Sequence, residues 1–416
     1  MTSHPFHMPK TANDADPRRW PAFAVLLIAN FMILIDVTIV NVALPSLQRN
    51  MMASSSQMEW VVAAFVLAFA LGLLPFGRLG DIVGRKVMFL LGMAGFTFAS
   101  ALCGLAPSIE LLIVARVLQG LAGSMMTPQV LAIVQVTFPP QEKSLAFSLF
   151  GLSAGLASVS GPLLAGLLIG ANLWGMDWRP IFLINVPFGL LAVSGGLMLI
   201  TKIPGHPNLK NDYVGIIIFA LATALLIFPL IEGRSYGWPL WALLMVGASI
   251  LTAFIFYVWE RRREKAERSQ LLTAHLLRNP NFLLGAGLAT LFFSGIPGFF
   301  MVLAIFLQSG FGFTPILSGL TTIPFSLGVM FVSALSGRLG RHFLRGRMML
   351  GALVLATGMA WLRLVMSGIG EVADHWWFAP PLALSGIGLG IGISALFQTI
   401  LSGIPPRDAG SGSGAL

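Results

Sequence analysis

The sequence predicts an all-α polytopic membrane protein, on three observations. Hydrophobic residues make up 56% of the 416-residue chain and charged residues only 10%, with a mean hydropathy of +0.86. An ordinary soluble domain carries about 25% charged residues. Twelve stretches are apolar over the roughly 20 residues that a helix needs to cross a bilayer. The basic residues, which give a formal charge of +9, gather in alternate connections between those stretches. The 46 glycines and 25 prolines lie inside apolar runs, where membrane helices tolerate them. A soluble enzyme is excluded by this composition.

The spans start near Pro21, Gln57, Val87, Ile109, Ser144, Pro180, Tyr213, Trp238, Phe282, Pro315, Met348 and Trp376. The first apolar run, 21–47, is too long for the core of a cleaved signal peptide, so span one is expected to be retained. With connections counted from the N-terminus, the tail and the even-numbered loops hold 20 of the 25 Lys and Arg. The odd-numbered loops hold only Arg49, Arg179 and Arg234, and Arg116 and Arg363 lie within spans. The positive-inside rule then predicts both termini in the cytoplasm. Trp174, Trp178, Trp238, Trp241, Trp376 and Trp377 are expected to mark span ends on the opposite side as an interfacial aromatic belt. The single cysteine, Cys103, excludes an intramolecular disulfide and reads as a packing residue.

The connection after span two reads Gly77-Arg78-Leu79-Gly80-Asp81, and the one after span ten reads Gly337-Arg338-Leu339-Gly340-Arg341, 260 residues later. The match falls each time after a second helix and on the same side, which favours duplication over chance. The expected organisation is a cytoplasmic tail over 1–20, a six-helix bundle over 21–202, an inserted pair of spans over 203–260, a basic connector over 261–280, and a second bundle of four spans over 281–416. A second bundle repeating the first would have six. Residues 405–416 read either as a flexible tail or as a loop leading into a further helix.

Asp36 lies in the middle of span one, where a carboxylate costs about 2.5–3.5 kcal/mol on insertion scales. Such a residue reads either as a proton-coupling group or as a structural hydrogen-bond acceptor to a neighbouring helix. Arg116, inside span four, is followed by Gln119, Gly120, Gly123 and Thr127 along one helical stripe. Its guanidinium, permanently charged, either faces the interior and acts on a nearby carboxylate, water or anion, or satisfies backbone carbonyls near a helix end. Span five carries Gly151, Gly155, Ser158, Gly161, Pro162 and Gly166, a small-residue set suited to close helix contact. The loop Gly77 to Lys86 combines three glycines with Arg78, Asp81, Arg85 and Lys86. Its basic residues follow from topology alone; Asp81 does not, and reads as a helix cap or as one half of a breakable bridge between helices. No G-x-x-x-x-G-K-[ST] loop is present, so ATP-driven pumping is unsupported. No catalytic constellation and no metal-ligand spacing are visible.

These motifs resemble the major facilitator superfamily, and specifically its fourteen-span drug/proton antiporter branch. Asp36 to Pro45 resembles that branch's first-helix motif, and Gly77 to Lys86 resembles the superfamily's signature loop. Arg116 to Pro128 resembles the fourth-helix motif whose arginine is associated with proton transfer. Gly151 to Gly166 resembles the fifth-helix antiporter motif, and Trp178 to Gly189 is similar to the start of the branch's sixth span. The resemblance covers nearly the whole chain, with three departures. Arg341 stands where the second loop copy has an acid, Phe65 stands where the branch commonly has tyrosine, and the last two helices of the branch's pattern are missing after 405–416.

The resemblance implies a multi-pass protein of the bacterial inner membrane, two bundles rocking about a midplane cavity, and export of apolar or cationic small molecules in exchange for protons. Asp36 and Arg116 would carry proton coupling. Gly77, Asp81, Gly84, Arg85 and Lys86 would form a conformational latch, and Gly151, Gly155, Gly161, Pro162 and Gly166 the antiporter helix. No cofactor beyond the proton gradient, no nucleic acid and a monomeric state are expected. Export of another solute on the same fold, or a non-transporting membrane protein, are the alternatives the sequence leaves open.

Overall fold

The computed structural model describes residues 16–205, 212–233, 236–266, 270–271, 280–336, 343–368 and 374–402. Among the described residues, thirteen α-helices form the twelve spans: α1 Arg19–Met51, α2 Ser55–Val83, α3 Arg85–Leu105, α4 Ile109–Thr137, α5 Pro140–Ala171, α6 Pro180–Leu183, α7 Asn185–Leu199, α8 Tyr213–Glu232, α9 Leu240–Lys265, α10 Pro280–Ile305, α11 Pro315–Ser336, α12 Leu344–Gly368 and α13 Ala379–Ser402. Every predicted span corresponds to a helix, the sixth being split at Ile184 into α6 and α7. Ten spans are long and apolar enough to cross a membrane, and α5 and α11 contain shorter apolar runs, Ser160–Ala171 and Ile316–Val332.

The helix ends follow local chemistry. Ser54 opens α2 with a capping box, its hydroxyl accepting from the Gln57 N–H while the Gln57 side chain accepts from the Ser54 N–H. Ser108 caps α4 and Asp212 caps α8 in the same sense. Pro140 starts α5 where its missing N–H is harmless.

The loop expected over Gly77 to Lys86 is not a loop. α2 continues as helix to Val83 and α3 begins at Arg85, so Gly84 alone makes the turn, at φ +114°. A residue with a Cβ would be strained there. The helix continues because Arg78, Asp81 and their neighbours are compatible with helix and only Gly84 breaks it.

Helices α1 to α7 pack into one group around two apolar clusters. One is built on Phe23, Phe65, Phe89, Phe96 and Phe138, the other on Ile39, Leu47, Leu112, Trp178 and Phe182. Helices α10 to α13 form a second group around Leu303, Phe325, Leu382 and Leu389. Lipid supplies no hydrophobic contrast between helices, so close backbone approach through small residues does the holding. A Cβ on Gly386 of α13 would lie 1.8 Å from the Phe325 carbonyl of α11, and one on Gly388 would lie 2.2 Å from the Leu355 N of α12. The groups meet chiefly where α11 packs on α5.

The inserted pair, α8 and α9, packs on itself and docks on α2. Trp60 of α2 donates its indole N–H to Glu232 at one end. At the other, Leu74 of α2 sits in a cluster with Ile216, Phe219 and Phe256. α9 extends through Arg261, Arg262 and Arg263 to Lys265, so the first part of the predicted connector is helical. Arg263 pairs with buried Asp212 at 3.0 Å rather than facing solvent. Residues 267–269 and 272–279 of that connector, the second loop copy Gly337 to Arg341 and residues 405–416 lie outside the described residues.

Alternate helix ends gather on two sides, as the loop count predicts. On one side the Arg19 guanidinium of α1 binds Glu142 of α5 at 2.9 Å, and Thr201 after α7 donates to Asp16. On the other, Trp178 donates to Asn50 at 3.2 Å and Arg179 to the Ala106 carbonyl at 2.7 Å. Trp178 is therefore not an interfacial belt residue: it is fully buried, with its ring edge-on to Phe182. Having a protein partner for its N–H, it gains nothing by reaching the interface. Trp174, Trp238, Trp241, Trp376 and Trp377 are exposed as the belt predicts.

The Arg19 hydrogen bonds hold Glu142 below the usual glutamate pKa. A carboxyl depressed in the folded state contributes stability above its unfolded pKa of about 4.3 and loses it as pH falls through the folded value. Glu142→Gln is expected to lower thermal stability by about 0.5–1 kcal/mol at pH 7, the scale of a partly exposed pair, and to have progressively less effect as pH falls through the folded value. Unfolding in detergent over an acid pH series checks this.

Candidate functional site

Of the charges that the sequence places inside spans, the fold brings Asp36 and Arg116 together. α1 is 33 residues long and Asp36 lies near its centre; Arg116 lies two turns into α4. Asp36 is 0% exposed and Arg116 1%. The Arg116 Nη1 donates directly to Asp36 Oδ2. A charge so deeply buried is tolerated only when paired and hydrogen-bonded, and this pair is enclosed on every side.

Gln119, one turn beyond Arg116 and 0% exposed, completes the link. Its Nε2 donates to Asp36 Oδ1 at 2.7 Å and to Ser100 Oγ of α3 at 2.9 Å, while its Oε1 accepts from Arg116 Nη1 at 2.7 Å. The Arg116 Nε donates to the Val61 carbonyl of α2 at 2.9 Å. Its guanidinium lies over the ring of Phe65 at 4.4 Å and nearer the edge of Phe182's reach at 5.8 Å. Phe65, the departure from the branch's tyrosine, thus contributes a cation–π face. Asn185, the first residue of α7, reaches Asp36 Oδ1 with its Nδ2 at 3.5 Å. The break at Ile184 places Phe182 and Asn185 on either side of it at this network.

Five spans therefore meet in one hydrogen-bonded network around Asp36 and Arg116. Of the alternatives open for Arg116, the geometry contains both: it binds a carboxylate and one backbone carbonyl. Sequence reasoning marked Asp36 and Arg116 but gave no role to Gln119, Ser100 or Asn185. The available signal was a polar amide inside an apolar span, which is costly without a partner.

The other predicted groups fall apart from this network. Asp81 Oδ1 and Arg85 Nη2 form a buried pair at 3.2 Å across the Gly84 turn, and Arg85 Nη1 donates to the Ala132 carbonyl of α4 at 2.8 Å. Lys86 donates to the Leu197 carbonyl at 2.8 Å, occupying one of the orphan acceptors at the end of α7. Gly77 is buried within α2. Arg85 and Lys86 thus tie α2, α3, α4 and α7 at one end of the bundle. On α5, Gly161 allows a close approach to α1: a Cβ there would lie 1.9 Å from Thr38 Oγ1 and 3.2 Å from the Ile39 N. Pro162 lies inside α5 without interrupting it, and Gly166 is partly exposed. The surroundings of Gly151, Gly155 and Ser158 lie outside the described residues. Phe299 and Phe300 pack on Phe325 in the second group's core. Among the described residues, no group of three or more His, Cys, Asp or Glu is placed to hold a metal.

The sequence matches the Major Facilitator Superfamily over residues 26–212 and again over 211–416. It is 40% identical over 404 residues to a probable actinorhodin transporter of Streptomyces coelicolor, covering 96% of this chain and 69% of that protein. It is 32% identical over 389 residues to the multidrug resistance protein Stp of Mycobacterium tuberculosis, covering 93% of this chain and 70% of that one. In fold it resembles the proton:xylose symporter XylE, with a TM-score of 0.66 at 13% identity, over 95% of this chain and 84% of that one. A double match of this kind, on an all-helical chain of apolar spans, has one meaning: the chain belongs to the Major Facilitator Superfamily and is a membrane transporter.

Proposed function

We propose that the protein exports small apolar or cationic compounds in exchange for protons, by alternating access between two helical bundles in a bacterial inner membrane. The observation that carries this reading is the fully buried Asp36–Arg116 pair, a titratable group enclosed by five spans in a protein that needs an energy source. Asp36 is the proton-coupling carboxylate and Arg116 its relay. Relatives named for actinorhodin transport and multidrug resistance support export of drug-like molecules. The inserted α8–α9 pair supports the fourteen-span drug/proton antiporter branch, and the greater length of those relatives supports two further helices closing the second bundle.

In this reading the Asp81–Arg85 turn with Gly77, Gly84 and Lys86 is the conformational latch, and α5, lying between α1 and α11, is the antiporter helix. The clustering of basic residues supports a cytoplasmic N-terminus. The protein works as a monomer, needs small-molecule substrate, protons and lipid, and uses no cofactor. Inward movement of one proton supplies about 2.3 kcal/mol per 100 mV.

Everted membrane vesicles energised to an acidic interior test this. Adding a lipophilic cation such as ethidium is expected to release protons and to be followed by ethidium uptake that a protonophore abolishes. Uptake insensitive to the protonophore would overturn proton coupling.

A further inference from the structure

We propose that Gln119 is a positioning residue that reads the protonation state of Asp36 and passes it to Arg116 by turning over its side-chain amide; this rests on the proton-coupling reading above. The amide has two N–H donors and one oxygen with two lone pairs, and its environment takes up all four. Nε2 donates to Asp36 Oδ1 at 2.7 Å and to Ser100 Oγ at 2.9 Å; Oε1 accepts from Arg116 Nη1 at 2.7 Å and from the Cys103 thiol at 3.5 Å. The orientation is dictated by the neighbours. Arg116 has no acceptor, so the oxygen must face it, and an ionised Asp36 has no donor, so the nitrogen must face it.

A proton arriving on Asp36 Oδ1 reverses half of this arrangement. The new O–H would face the Gln119 N–H, two donors with nothing between them. A half-turn of the amide restores the pairing. Oε1 then accepts from Asp36 O–H and from Ser100, whose hydroxyl proton rotates to suit, and Nε2 meets the Cys103 sulfur. The same turn sets Nε2–H against Arg116 Nη1–H. Arg116 loses an acceptor on Gln119 at the moment it loses the charge on Asp36, keeping the Val61 carbonyl, the Phe65 face and the now uncharged Asp36 Oδ2. One proton is added, no covalent bond breaks, and the hold of the guanidinium on α1 is weakened from a charge-assisted to a neutral acceptor.

The charged and titratable groups that face Gln119 are Asp36 from α1, Arg116 on its own helix and Cys103 from α3. α2 contributes the Val61 carbonyl and Phe65, and the sixth span contributes Phe182 and Asn185, none of them charged. The site is dry enough that an unpaired donor is costly, which makes the two amide orientations discrete states.

Difference infrared spectroscopy on the full chain in lipid, with glutamine side chains isotopically labelled and acidification as the only trigger, reads both events. The expected result is a protonated-carboxyl band that appears together with a change in a glutamine amide band. Both are lost in Asp36→Asn, and the amide change alone is lost in Gln119→Met. A carboxyl band without an amide change would overturn the switch and leave the coupling reading standing. No carboxyl band assignable to Asp36 would overturn both. In transport, Gln119→Met is expected to keep ethidium counterflow while proton-driven ethidium efflux falls about tenfold, the effect of about 1.4 kcal/mol. Equal loss of counterflow and efflux would show a merely structural role and overturn the proposal.

Discussion

Asp36→Asn is expected to abolish proton-driven efflux while the protein still reaches the membrane and still exchanges substrate. Asparagine keeps the shape of the carboxylate and one acceptor oxygen, so Arg116 retains a partner, but it takes up no proton at any pH. Counterflow, in which substrate moves in both directions with no net proton transfer, separates coupling from folding. Retained counterflow with lost efflux is the predicted outcome, whereas wild-type efflux in this variant would remove Asp36 from the coupling step. Removal of one partner from a buried pair generally costs about 3–5 kcal/mol because the other charge is left uncompensated. Asp36→Leu should therefore destabilise the protein much more than Asp36→Asn, and thermal unfolding in detergent ranks the two.

Arg116→Lys is expected to fail even though it preserves the charge. The guanidinium uses its planar fork: Nε holds the Val61 carbonyl, Nη1 holds both Asp36 and Gln119, and the flat face lies on Phe65. A lysine ammonium is a compact point charge that cannot reproduce these directions together. Losing one hydrogen bond to a charged group costs about 1.5–3 kcal/mol, which corresponds to a loss of efflux of about tenfold or more. Efflux as a function of pH is the measurement. A lysine variant with the wild-type profile would mean that only the positive charge matters and that the link to α2 is incidental. The double variant Asp36→Asn with Arg116→Gln should regain stability relative to Asp36→Leu without regaining coupling, since no buried charge is left without a partner.

The consequences of these two substitutions differ because the network ties different helices through different atoms. Asp36 connects α1 to α4 and to Asn185 of α7; Arg116 connects α4 to α1 and α2. On the proposed coupling, a proton on Asp36 would loosen the first set and leave the Val61 contact in place, favouring movement of α1 relative to α4 with α2 held to α4.

Much of this was legible in the chain. Twelve apolar stretches, their polarity of flanking charge and the two intramembrane charges at Asp36 and Arg116 follow from composition and from the cost of placing an ion in hydrocarbon. So does the alternation of helix ends between two sides. The Gly84 turn was located to within a few residues, but its neighbours were assigned to a loop because glycine and charge were weighed against helix. Trp178 was assigned to the interface because a tryptophan at a span end usually lies there; its partner Asn50 is 128 residues away and gives no local sign.

Only the tertiary structure decided which polar groups meet. Asp36 and Arg116 are 80 residues apart on helices that are apolar nearly all round, so no amphipathic stripe in either sequence specifies the rotation that turns one toward the other. The same holds for Gln119, Ser100 and Asn185, whose partners are joined only by the crossing of α1, α3, α4 and α7. The docking of the α8–α9 pair on α2 is likewise set by Trp60 meeting Glu232 and by the packing of Leu74. Hydropathy determines that a segment crosses the membrane; the close approach of small residues and the pairing of buried polar atoms determine what it faces.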